Sequence, residues 1–122
     1  YKVQIQAIRN NPGSASSYPA IDPVEVEFGQ YGTIIVAAPL WWSNMAAPMQ
    51  TFLFHNGKAM AGKKIGLIVS SASSGISGVE RDAKRLIPEG NFTKSLWIRS
   101  YQVSSAPKMV SEWLKANDLA FK

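Results

Sequence analysis

Apolar positions along the chain fall into a few separated runs with different periods. Tyr1 to Ile8 (YKVQIQAI) alternates, with Val3, Ile5 and Ala7 on one side and Lys2, Gln4 and Gln6 on the other. That pattern predicts a strand with one exposed face, placed at a sheet edge. Arg9 to Pro23, rich in Asn, Ser, Gly and Pro, predicts a loop without regular structure. Val24 to Phe28 (VEVEF) alternates again before Gly29 and Gly32, which fits either a stub of strand or an extended approach to the next element. Thr33 to Ala38 (TIIVAA), bounded by Gly32 and Pro39, predicts a strand buried on both faces.

From there the periods alternate. Pro48 with Met49, Phe52 and Leu53 predicts a helix from about Ala47 to His55, stopped at Asn56-Gly57 by a left-handed ending. Lys64 to Ser70 (KIGLIVS) predicts a second buried strand, followed by the small-residue run Ser71 to Gly78. A helix over Val79 to Leu86, a strand over Ser95 to Ser100 and a final helix follow. That helix starts near Ser105 and Pro107, carries Val110, Trp113 and Leu114, and ends near Asn117. Strand and helix in alternation predict a single α/β domain over 1–122, with a mainly parallel sheet of three to five strands between helical layers.

Composition narrows the chemistry. The chain has 122 residues, 46% hydrophobic and 17% charged, enough for one folded core. With no cysteine and one histidine, disulfides, thiolate chemistry and Cys- or His-based metal sites are set aside. No triad, paired-carboxylate pattern, G-x-G-x-x-G or phosphate loop is present. The net charge of +5 is scattered, with no aromatic-interleaved basic stripe, so no nucleic-acid partner is expected. No apolar run is long enough for a membrane span, and a cytoplasmic location is the expectation.

Two loops carry the candidate chemistry. Pro39, Leu40, Trp41, Trp42, Ser43 and Asn44 follow the Thr33 strand at its carboxyl end, where open parallel sheets bind ligands. Ser71, Ala72, Ser73, Ser74 and Gly75 follow the Lys64 strand. If the two strands are neighbours, a planar heterocycle can stack on an indole while its polar edge takes hydrogen bonds from the serine loop, an arrangement that suits a flavin. Trp97 and Trp113 read as core packing, and His55 as a surface residue.

Tyr31 to Trp42 with Pro48 and Thr51-Phe52-Leu53 resembles the third-strand segment of flavodoxins and flavodoxin-like proteins. Gly62 to Ile65 leading to Val69 to Ile76 is similar to the family's next strand and flavin-facing loop, and Trp97 to Arg99 with Val110 to Leu114 to its last strand and helix. The resemblance implies a flavodoxin-like three-layer sandwich, FMN held noncovalently, and electron transport between redox partner proteins. It implies that Pro39 to Asn44 flank the isoalloxazine and that Ser71 to Gly75 meet its pyrimidine edge. An FMN-dependent quinone or nitro-compound reductase (an oxidoreductase with its own substrate) and a flavin-free interaction module are the alternatives. Nothing in the chain matches the family's leading strand and phosphate loop, so Tyr1 to Ile8 is expected to be its second strand in an N-terminally truncated domain. Pairing of that strand with the Thr33 strand, or a homodimer through the incomplete sheet, would close the gap.

Overall fold

In a computed structural model, residues 1–119 are described. Among the described residues the sheet at the centre of the fold has four strands paired in parallel and a fifth, short one added antiparallel. β1 (Thr33–Trp41) lies beside β3 (Lys64–Ser71), in register from Thr33 opposite Lys64 to Pro39 opposite Ser70. The far edge of β3 takes two short parallel segments, β4 (Asn91–Phe92) and then β5 (Leu96–Arg99). Between them three residues, 93 to 95, face two on β3, a bulge that interrupts the ladder. The bulge leaves the Lys94 carbonyl free to accept the Trp113 indole N–H at 2.6 Å.

Four helices flank the sheet: α1 (Lys2–Asn10), α2 (Ala47–Asn56), α3 (Ser77–Leu86) and α4 (Ala106–Ala116). Odd-numbered β3 residues Ile65, Leu67 and Val69 point to the main core with Val36 and Ala38 of β1, against Leu53 of α2 and Val79, Ala83 and Leu86 of α3. The opposite face of β3 is covered by α4. There Gly66 makes room for Trp113, since a Cβ on Gly66 would lie 2.7 Å from the indole.

Several expectations are corrected. Tyr1 to Ile8 is not a strand: residues 2 to 10 are helical, with Ile5 and Ile8 buried and Val3 81% exposed. Tyr1, Ile5 and Ile8 stand at i, i+4 and i+7, so the same residues that alternate also form a helical stripe, and packing selects the stripe. Tyr1 to Ile8 therefore does not pair with β1. Instead, short β2 (Asn44–Met45) folds back antiparallel onto the end of β1, opposite Leu40 and Trp41 only. Nor is β1 buried on both faces, because Thr33, Ile35 and Ala37 are exposed. α4 reaches Gly66 but leaves the reverse face of β1 uncovered. Val24 to Phe28 forms no strand, and a 3₁₀ turn, Phe28–Gln30, leads into β1.

The Asn56-Gly57 ending differs too. Gly57 has φ −59° and continues into a 3₁₀ turn over Gly57–Met60 rather than a left-handed cap. Its lack of a side chain serves proximity: a Cβ there would lie 2.0 Å from the Leu86 carbonyl oxygen at the end of α3.

Candidate functional site

Because Pro39 and Ser70 are partners in adjacent parallel strands, the segments that follow them leave the sheet side by side at its carboxyl end. The expected juxtaposition of the aromatic and serine loops is therefore present.

The aromatic segment is a hairpin turn. Trp41 pairs with Asn44, and the two residues between them, Trp42 and Ser43, have φ of 54° and 61°. Positive φ at both central positions is the requirement of a type I′ turn, usually met by Asn or Gly. A tryptophan there is unusual, and such conformations persist only where surrounding structure over-determines them. Trp42 is 61% exposed, so its indole is presented outward rather than packed. Trp41 lies edge-on to the Tyr1 ring, centroids 5.6 Å apart. Pro39 and Leu40 are half-buried at the end of β1.

What over-determines the turn lies behind it. Asn44 is buried; its amide donates to the Trp42 carbonyl and its Oδ1 accepts from Arg81 at 3.1 Å. The next backbone N–H, on Met45, donates to the buried Asp82 carboxylate at 3.0 Å. Arg81 and Arg85 lie 3.8 and 3.6 Å from the other Asp82 oxygen. Arg85 also donates to Gln50 and to the Tyr18 hydroxyl, both at 2.8 Å. α3 comes close enough to do this because residue 78 is glycine: a Cβ would lie 2.0 Å from the Ser43 carbonyl oxygen. Finally the Ala47 N–H donates to the Tyr1 hydroxyl at 3.0 Å. Burial raises the pKa of that phenol, the Ala47 bond opposes the shift, and the Asp82 charge adds to it.

The serine loop is built differently. Ser71 Oγ donates to the Ser74 carbonyl and accepts from the Trp97 indole N–H, both at 2.8 Å. The Ala72 carbonyl accepts from Ser100 Oγ at 3.1 Å. Ala72, Ser73, Ser74 and Gly75 are all exposed. The backbone N–H groups of Ser73, Ser74 and Gly75 have no acceptor among the described residues. Arg99, opposite Ser71 in the ladder, holds its guanidinium 3.7 Å from the Trp97 ring centre and donates to the Tyr101 hydroxyl.

Several of these residues escape sequence reading. Trp113 is core, as expected, but Trp97 is half-buried and braces the serine loop. Asp82 carried a signal: a carboxylate inside the buried stripe Val79-Asp82-Ala83-Leu86 needs a partner. His55 is exposed on α2 as expected.

The sheet end thus presents exposed indoles on one loop and, on the other, amide donors without an acceptor among the described residues. The first turn of α1 begins at Lys2, with no side-chain cap from Tyr1. No metal-binding cluster of His or carboxylates is present among the described residues.

An open, mainly parallel sheet with two loops leaving its carboxyl end side by side defines the class. The chain belongs to the flavodoxin family: the family model described as Flavodoxin matches residues 9–117. No curated protein sequence matches the chain. Solved structures share the fold. A provisionally assigned flavoprotein from Bacteroides eggerthii superposes with TM-score 0.66 at 19% identity, covering 91% of this chain and 66% of that one. A flavoprotein from Lactobacillus acidophilus, solved in complex with FMN, superposes with TM-score 0.62 at 15% identity, covering 85% of this chain and 65% of that one. The chain thus spans a little under two thirds of the length of these structures.

Proposed function

We propose that the chain carries the ring-binding half of an FMN site and serves electron transfer between redox partner proteins, in the cytoplasm. Family membership and an FMN-bound structural neighbour support the cofactor. The observation that carries the reading is Trp42, held at positive φ by a buried network with its indole turned to solvent. Under this reading Trp41 and Trp42 flank the isoalloxazine, Pro39, Leu40, Ser43 and Asn44 shape the turn, and the amides of residues 73 to 75 meet the pyrimidine edge with Ser71 and Ala72 anchoring their loop. The bound flavin supplies the redox chemistry, while the protein's groups orient it and set its polarity. Trp41 and Trp42 are both open to solvent, which favours exchange with a docked protein over chemistry in a closed substrate pocket. The exposed edge of β1 leaves a homodimer as a further part of the reading.

Flavin fluorescence tests it. Riboflavin and FMN are expected to be quenched with similar affinity, because contacts are to the ring, and Trp42→Ala should weaken both at least tenfold. Absence of quenching with either flavin would remove the reading for this chain.

A further inference from the structure

A concavity lies among the helices that back the Trp-Trp turn, where α1, α2 and α3 line an open groove of about 290 Å³. Its polar wall holds three guanidiniums, those of Arg9, Arg81 and Arg85, against a single carboxylate, Asp82. Arg85 is engaged on both terminal nitrogens, and Arg81 gives one of its own to Asn44. Arg9 makes no hydrogen bond or ion pair among the described residues, yet it lines the cavity from the last turn of α1. Ile5 and Ile8 stand on the same helix as Arg9 and are almost wholly buried, so the surface open to an occupant is mainly that of the polar groups and Pro12.

We propose that this groove binds a small planar carboxylate, its anionic group on Arg9 and Arg81. The sign follows from three guanidiniums against one carboxylate, with Arg9 and Arg81 exposed and so open to an anion. Planar guanidinium suits a carboxylate by parallel N–H donation. Size follows from the volume: at about 30 Å³ per water-sized group the cavity holds on the order of ten non-hydrogen atoms, too few for a nucleotide. Arg81 also donates to Asn44, which in turn holds the Trp42 carbonyl, so the occupant lies two hydrogen bonds from the aromatic turn.

The site needs no flavin, and its test is made without one, so its failure is separable from failure of the flavin reading. Benzoate, benzyl alcohol and inorganic phosphate are titrated separately into the protein at constant ionic strength, followed by two-dimensional amide NMR. Benzoate should give saturable shifts centred on Arg9, Asn44 and Arg81, with benzyl alcohol and phosphate each at least tenfold weaker. Arg9→Gln should weaken benzoate at least tenfold and Arg9→Lys should recover part of that loss. Because Arg9 holds no other residue, both variants should keep the parent spectrum elsewhere. Unsaturable benzoate shifts, equal binding of benzyl alcohol, phosphate binding as tight as benzoate, or an Arg9→Gln variant that binds normally would each overturn the assignment.

Discussion

The two loops at the sheet end are held by different means. Behind the Trp-Trp turn, Asn44, Met45, Gln50 and Asp82 are at most 5% exposed and joined by buried hydrogen bonds and ion pairs. The serine loop has four consecutive exposed residues and is tied down only near its base, by Ser71 and the Ala72 carbonyl. One wall is a fixed extension of the core, whereas the other is a loop free to adapt to what it binds. Substitutions in the network behind the first should therefore register as stability, and those at the exposed residues of either loop as ligand affinity.

The comparison is broken most directly at Asp82. Asp82→Ala leaves the Met45 N–H buried without an acceptor and two guanidiniums without their carboxylate. A loss of about 3 kcal/mol is expected, as for removing one member of a buried pair. Asp82→Asn, which keeps an acceptor, should cost less. Urea unfolding measures both, and an Asp82→Ala variant within about 0.5 kcal/mol of the parent, the scale of ordinary surface changes, would show that the turn does not depend on this network. The glycines give a matched pair. Gly78→Ala drives a Cβ to 2.0 Å from the Ser43 carbonyl oxygen, whereas Gly75→Ala meets nothing within 4 Å. The first should cost about 2 kcal/mol or more through overpacking against backbone, and the second should stay within about 0.5 kcal/mol.

Trp42 sharpens the contrast by separating stability from function. Trp42→Gly removes a bulky residue from φ 54° and, because the indole is exposed, sacrifices little packing. The variant should gain about 1 kcal/mol in unfolding free energy while losing flavin quenching. A destabilised variant would mean that the indole contributes packing the exposure does not reveal. On the serine side, Trp97→Phe deletes the N–H that holds Ser71 and keeps most of the ring. About 1 kcal/mol of stability should be lost, with riboflavin affinity falling as the loop loosens.

Legibility from sequence followed the same division. β1, α2, β3, α3, β5 and α4 each carry an uninterrupted apolar run or a helical stripe with Pro near its start or Gly beyond its end, and all six occur where expected. The two loops inherit their position from those strands, so their departure from the same end of the sheet was legible as well. The identity of α1 was not, because Val3, Ile5 and Ala7 satisfy period two as well as Tyr1, Ile5 and Ile8 satisfy the helical period; burial of Ile8 and exposure of Val3 decide it. Apolarity of Ile35 and Ala37 indicated a face fit for burial, not whether the described chain supplies a cover. Least legible was the support behind the turn. Asp82 and Met45 stand 37 positions apart, and Trp97 and Ser71 26, so the partners meet only once the sheet order is known.

The smallest expected effect concerns the rim of the turn. Tyr1 accepts the Ala47 N–H and packs against Trp41, and burial places its phenol above the ordinary value of 10.0. Because the phenol holds its proton more tightly in the folded state, ionising it costs more there than in the unfolded chain, and stability falls across the window between the two pKa values. The contribution is thus fully present below pH 10.0 and is lost as pH rises through the higher folded value. Tyr1→Phe removes the titrating group, so the parent's Tm should fall more steeply with alkaline pH than the variant's. In the parent, the amide resonances of Ala47 and Trp41 should shift in that range while those of Ser73 to Gly75 do not. Equal shifts in both loops would mean that the alkaline transition is global, and the distinction between a braced wall and an adaptable one would have no support from Tyr1.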